Sequence, residues 1–446
     1  MQPFYHLSSR SGPEFVASRW HDASVAPPKR SNTKPTANAS SDLECDRDSR
    51  RDEGDRRLAS GDEAGTAPED RRFRPDVEGL RAVAVLIVVL FHVFVTAKSR
   101  AFSGGYVGVN VFFVISGFVI TGLLLRECNA TGRIGLVAFY ARRARRIIPA
   151  MALVIIVSLV VERILIGASA TSLVASDAKW SSVFLANIHF TKVYPTFLVH
   201  RPDTPLQNYW SLAVEEQFYL VYPAIILMVA VGIRRGPLRL KMGIVLCAII
   251  VVSFAWFIAS TSFAALAYSP LALAWELGLG ALVAVCTVQL KKLSPTVAAV
   301  MTWVGLGGIL VAALVFTLTS PYPWLVAGLP VLSTVLVIAG GTAAPRRGAE
   351  SLLRLAPFKW LGRWSYSYYL WHWPILIFAV QHWGHPSVIR NLALACFALG
   401  ISAISYFYVE NPIRHSKLFS QSSKASILAG AILITVCFGL ASAITL

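Results

Sequence analysis

Residues 80–97 read LRAVAVLIVVLFHVFVTA, a run interrupted only by Arg81 near its start and His92 further along. A stretch of roughly 20 apolar residues is what a helix needs to cross the hydrocarbon of a bilayer. Ten further runs follow, at about 107–126, 147–166, 209–231, 242–260, 270–288, 298–317, 325–342, 365–383, 389–410 and 425–445. The composition agrees: 55% of the 446 residues are hydrophobic and only 15% are charged, against about 25% in a soluble domain. An ordinary soluble enzyme is excluded, and the expected fold is an all-α polytopic membrane protein.

The net charge of +17 raises the question of nucleic acid, and its distribution answers it. Residues 1–72 carry 12 Lys/Arg and 13 Asp/Glu, so the whole surplus lies beyond them, in short loops between apolar runs. That pattern is a topology signal and not a nucleic-acid footprint. With residues 1–72 inside, the inner loops hold 19 Lys/Arg and the outer loops 5. Segment 172–190 is moderately apolar but contains Asp177, Lys179, Asn187 and His189. Counted as a span, it would reverse every later loop against the positive-inside rule, so it reads as re-entrant or interfacial and eleven spans remain. Residues 1–72 lack apolar periodicity and read as a disordered cytoplasmic tail. They do not read as a signal peptide, because no apolar segment of 7–15 residues follows the first basic residues. The six cysteines are scattered without CxxC or a neighbouring histidine, and read as isolated thiols with neither zinc nor a disulfide framework.

Ionisable groups at membrane depth are costly, which makes each one a functional candidate. His92 follows Arg81 by eleven residues, almost three helical turns, so both face one side about 16 Å apart. A lone intramembrane histidine is as readily a packing residue, but the aligned arginine favours function. Asn110 and Ser116 lie in NVFFVISG (residues 110–117), where small residues ordinarily mean close helix packing. Arg142, Arg143, Arg145 and Arg146 crowd an inner boundary. Such clusters serve topology and lipid headgroups, and they also suit a polyphosphate, which guanidinium groups grip bidentately. Glu215 and Glu216 sit side by side about two turns below the outer surface, Glu276 at similar depth, and His372 in the inner half of the ninth span. A structural hydrogen-bond network is the bland alternative for these four. Glu410 and Arg414 read as caps of the tenth span at the inner surface.

The segment from Phe73 to Ala82 with His92, the FFxxSG of Phe112–Gly117, the RxxR of Arg143 and Arg146, the stretch Trp210–Tyr222, SYSYYLWHWP (365–374) and VENPIR (409–414) occur in order. Together they resemble the acyltransferase-3 family of integral membrane acyltransferases. The resemblance implies a ten-span core over residues 73–415 and, in residues 416–446, a linker and one extra C-terminal span. It also implies O-acylation, often O-acetylation, of an extracytoplasmic envelope carbohydrate or glycolipid from cytoplasmic acyl-CoA (acetyl-CoA), without a metal. Many proteins resembling this pattern append an SGNH hydrolase-like domain. The expectation here is a stand-alone form, which either completes the transfer or hands its acyl group to a separate extracytoplasmic transferase.

On this reading Arg81, Arg142, Arg143, Arg145 and Arg146 hold the donor phosphates, and His92 is the general base on the acceptor hydroxyl. Ser116 and Asn110 orient the imidazole or stabilise the oxyanion, and Glu215 or Glu216 hold sugar hydroxyls or tune His92. Asn110, Glu276 and His372 are the acceptor-binding candidates. An acyl-histidine intermediate stays open, whereas no GxSxG elbow supports a serine route. Two other classes compete: a flippase of lipid-linked sugars, which would bring inverted repeats that this sequence lacks, and a non-enzymatic membrane sensor on the same fold.

Overall fold

The computed structural model describes residues 74–193, 203–232, 237–260, 262–317, 320, 323–384 and 387–445. The expected disordered tail, residues 1–72, lies outside the described residues. Every regular element among them is helical, as an all-α membrane protein requires. All eleven expected runs appear as helices: α1 Pro75–Thr96, α2 Gly108–Thr131, α3 Leu136–Leu165, then α6 Tyr209–Gly232, α7 Leu238–Ala259, α8 Pro270–Val285, α9 Pro295–Val315, α10 Pro323–Ala343, α11 Ala356–Trp383, α12 Val388–Ser405 and α13 Ser423–Thr445. Nine helices among the described residues are long and apolar enough to cross a membrane. The two outside that set are α8, with 16 residues, and α11, whose 28 residues carry the polar SYSYYLWHWP stretch.

Helix starts follow local chemistry. Pro75 opens α1 with Asp76 and Glu78 in the first turn, where carboxylates meet the positive end of the helix dipole. Ser269, Ser294 and Ser387 cap α8, α9 and α12 by accepting from backbone N–H groups three residues on. Gly132 ends α2 at φ 75°, a left-handed conformation natural to glycine.

Segment 172–190 does not cross. It forms two short helices, α4 (Ala168–Ser182) and α5 (Ala186–Val193), 15 and 8 residues long, and no continuous span. Phe184, at φ 58°, turns the chain between them. Asp177, Lys179, Asn187 and His189 are each engaged. Asp177 meets His189 Nε2 at 2.8 Å and accepts from Thr204. Asn187 donates to the Tyr268 carbonyl at 3.0 Å, and Lys179 donates to Thr445.

Helix directions give an independent reason. Asn110 of α2 meets Glu276 of α8, and four residues further along each helix Val114 meets Gly280, so α2 and α8 run parallel. Arg81 and His92 of α1 meet Ser365 and His372 of α11, in the same order. Parallel pairs require an odd number of crossings between them, which an additional span at 172–190 would make even.

Glycines set these approaches. A Cβ on Gly117 would lie 1.9 Å from the Leu277 carbonyl oxygen, and one on Gly280 1.9 Å from that of Val114. Gly362 of α11 stands equally close to the Glu78 carbonyl of α1. In a membrane, where lipid is as apolar as leucine, such close backbone contact is a main source of helix association.

Two expectations need correction. Cys128 is disulfide-bonded, while Cys247, Cys286, Cys396 and Cys437 are free thiols; bridging depends on Cα approach, which spacing in the chain does not report. Glu410 is not a surface cap: it is buried and accepts from Ser367 of α11 at 2.9 Å.

Candidate active site: an arginine cavity and a histidine chamber

Two cavities lie along α1. The smaller, about 70 Å³, is lined by Arg81, Arg143, Arg146, Glu215, Glu216 and Ser116 among others. Here the arginine cluster divides by helical geometry. Residues three apart share a face while neighbours differ by about 100°. Arg143 and Arg146 face the cavity, and the Arg143 guanidinium stacks over the Tyr219 ring, 4.8 Å from its centroid. Arg142 instead pairs with Glu127 at 2.5 Å. Arg145 donates to the Phe419 carbonyl and reaches Ser426 of α13 at 3.4 Å. Arg81 Nε donates to Ser365 Oγ at 3.1 Å. Ser116 Oγ and Tyr219 OH both donate to Glu215 Oε1. Three guanidinium groups against two carboxylates leave this cavity with cation in excess, as a site for an anion needs.

The larger cavity, about 670 Å³, is lined by His92, Asn110 and Glu276 together with aromatic and amide side chains, among them Trp210, Tyr268, Trp373 and Asn208. His92 Nδ1 lies 2.9 Å from His372 Nε2, and His372 Nδ1 lies 3.0 Å from the Tyr368 carbonyl oxygen. A carbonyl only accepts, so His372 carries its proton on Nδ1 and presents the Nε2 lone pair. His92 must then donate from Nδ1. Its Nε2 keeps a lone pair, and no partner for that atom occurs among the described residues. His372 itself is fully buried and does not line the chamber. Beside His92 stands the Trp373 ring, 4.5 Å between centroids. Asn110 Nδ2 lies 2.9 Å from both carboxylate oxygens of Glu276, a pairing made by the α2–α8 glycine contact.

The sequence candidates therefore separate into two groups. Arg81, Arg143, Arg146, Ser116, Glu215 and Glu216 gather in the arginine cavity. His92, Asn110 and Glu276 gather in the chamber, with His372 directly behind His92. Arg142 and Arg145 join neither. Missed by sequence reasoning were Tyr369, Ser365, Asn208 and the chamber aromatics. The available signal was the spacing in SYSYYLWHWP, where Ser365, Tyr369 and His372 recur at four and three residues and so share a face of α11.

The acyltransferase-3 family, described as an acyltransferase domain, matches residues 74–410. The peptidoglycan O-acetyltransferase OatA of Listeria monocytogenes is 30% identical over 367 residues, 78% of this chain and 57% of that protein. A putative peptidoglycan O-acetyltransferase of Bacillus subtilis, YrhL, is 29% identical over 385 residues, 80% and 58% of the two chains. The O-acetyltransferase OatA of Staphylococcus aureus is 29% identical over 362 residues, 77% and 57%. The chain thus spans less than three fifths of the length of these relatives. No solved structure matches it.

Proposed function

The chain belongs to the acyltransferase-3 family, and from that premise we propose that it is a membrane O-acyltransferase that moves an acyl group, acetyl by the names of its relatives, from acyl-CoA to a hydroxyl of an envelope carbohydrate or glycolipid. Residues 74–410 are the catalytic unit on this reading, and α13 is a span added to it. The observation that carries the reading is the His92–His372–Tyr368 chain, which leaves an unprotonated imidazole nitrogen on a large, mainly apolar chamber, while Arg81 of the same helix lines a second cavity with Arg143 and Arg146 of α3.

The donor enters from the cytoplasmic side, where the basic loops lie. Its phosphates engage Arg81, Arg143 and Arg146, and its flexible arm carries the thioester toward His92, about 16 Å further along α1. The acceptor hydroxyl lies in the chamber, where Trp210, Tyr268 and Trp373 offer apolar faces to a sugar ring and Asn110 and Glu276 offer polar contacts. The hydroxyl oxygen attacks the thioester carbonyl as His92 Nε2 takes its proton. The C–S bond then breaks, and the departing thiolate receives that proton. His372 acts on His92 by holding Nδ1–H and thereby the productive tautomer. Glu215 and Glu216 belong to the arginine cavity, where Glu215 holds the Tyr219 hydroxyl and with it the ring over which the Arg143 guanidinium stacks.

The test is purified protein in detergent with acetyl-CoA and a soluble sugar acceptor. Acceptor-dependent thiol release is expected, lost in His92→Ala, with acylated envelope glycans or glycolipids detected by mass spectrometry only in cells that contain the protein. No thiol release and unchanged glycans would overturn the reading.

A further inference from the structure

The two cavities share three wall residues, Val109, Phe113 and Tyr369. Tyr369 is held at both ends. Its hydroxyl donates to the Asn208 carbonyl at 3.1 Å and lies 2.6 Å from Ser211 Oγ, while its own carbonyl accepts from Asn208 Nδ2 at 2.8 Å. Its ring packs against Phe112, with centroids 6.2 Å apart, and against His372, with centroids 5.6 Å apart. Asn208 and Ser211 border the start of α6, so a side chain of α11 is latched to the end of another helix across the boundary between the cavities.

We propose that Tyr369 is a removable septum between the arginine cavity and the histidine chamber, and that it determines whether an acyl group reaches an alcohol or water. The inference rests on the acyl-transfer reading for its second half only. With phosphates at the arginines and the thioester at His92, the donor's arm must pass the plane of Tyr369. Of the three residues on the boundary, Val109, Phe113 and Tyr369, only Tyr369 has a side chain fixed by hydrogen bonds. The arm therefore passes only when the ring swings out and its hydroxyl releases Asn208 and Ser211. The latch consists of neutral hydrogen bonds, weak enough for a binding ligand to open. With the septum shut, water in the chamber cannot reach a thioester held on the arginine side. With it open and no alcohol present, a water oxygen attacks the carbonyl, the C–S bond breaks, and the products are the free acid and CoA thiol.

Two measurements separate the septum from the chemistry. Ser116→Cys places a thiol on the arginine cavity. In lipid nanodiscs, its reaction with a charged methanethiosulfonate is followed by site-resolved mass spectrometry, with the buried native Cys437 reporting any unfolding. Tyr369→Ala is expected to speed labelling by about ten-fold or more, and Tyr369→Phe, which keeps the ring and loses the latch, by a smaller factor. If Cys437 reacts in the alanine variant, the phenylalanine variant carries the test. Unchanged labelling overturns the septum, and this result needs no catalysis. In the second measurement, acetyl-CoA without acceptor should release thiol faster in both Tyr369 variants than in the parent. Faster labelling without faster thiol release upholds the septum and counts against the acyl-transfer reading.

Discussion

One ring nitrogen of His92 is committed to His372 and the other is left to the chamber, so the two substitutions have distinct signatures. His92→Ala should lower turnover by about 10² to 10⁴ while acyl-CoA still binds, because proton transfer at the reacting carbonyl is lost. His372→Leu leaves the buried Nδ1–H of His92 unpaired, a cost of about 1–3 kcal/mol, and should lower turnover without weakening the donor. His372→Gln can still accept from His92 and donate to Tyr368, and should fall between the leucine variant and the parent. Single-turnover rates beside calorimetric titration of acyl-CoA check all three. The arginines divide in the same way. Arg81→Ala, deepened by Arg143→Ala with Arg146→Ala, should weaken donor binding, whereas Arg142→Ala and Arg145→Ala should leave it unchanged. Equal losses from all five would show that the cavity does not hold the phosphates. Within the cluster of four, Arg142 and Arg145 keep the same spacing as Arg143 and Arg146; a one-residue offset turns a side chain by about 100°, and what each then meets depends on Glu127 and on α13.

Among the helices, backbone contact at glycine decides which side chains meet. Gly117 and Gly280 let α2 and α8 touch, and Asn110 then reaches Glu276. Gly117→Ala or Gly280→Ala puts a methyl group against a backbone carbonyl that cannot rotate away. Overpacking of this kind costs about 1–3 kcal/mol. Each variant should melt earlier in detergent than the parent, whereas Gly439→Ala, with open space at its Cβ, should melt at the same temperature. Equal melting temperatures for all three variants would remove the glycine contact as the cause of the pairing. The FFxxSG motif thus has two components that a pattern alone cannot separate. Its glycine serves packing, as small residues in membrane helices ordinarily do, and its serine faces the arginine cavity.

For the whole molecule, the basic loops predict that the N-terminal side faces the cytoplasm. An impermeant thiol reagent applied outside intact cells should label Ser320→Cys and miss Lys291→Cys, and the reverse pattern would invert the orientation. Deletion of residues 2–70 should leave acylation in membranes intact at equal protein abundance, since every motif lies beyond them. The membrane fold was legible in the sequence because transfer of an apolar run into hydrocarbon, and of lysine or arginine across it, are local free energies that each segment carries alone. The same holds for the eleven helices, for the exclusion of 172–190 and for the three-turn alignment of Arg81 with His92. Beyond the grouping of Arg81 with Arg143 and Arg146, which polar groups share a cavity was not legible. His372 behind His92, Glu215 beside the arginines and Tyr369 between the cavities each join residues about 100 to 280 positions apart. Those meetings depend on which helices pack and in which direction, and that is a property of all the helix contacts solved together, which only the tertiary structure decides.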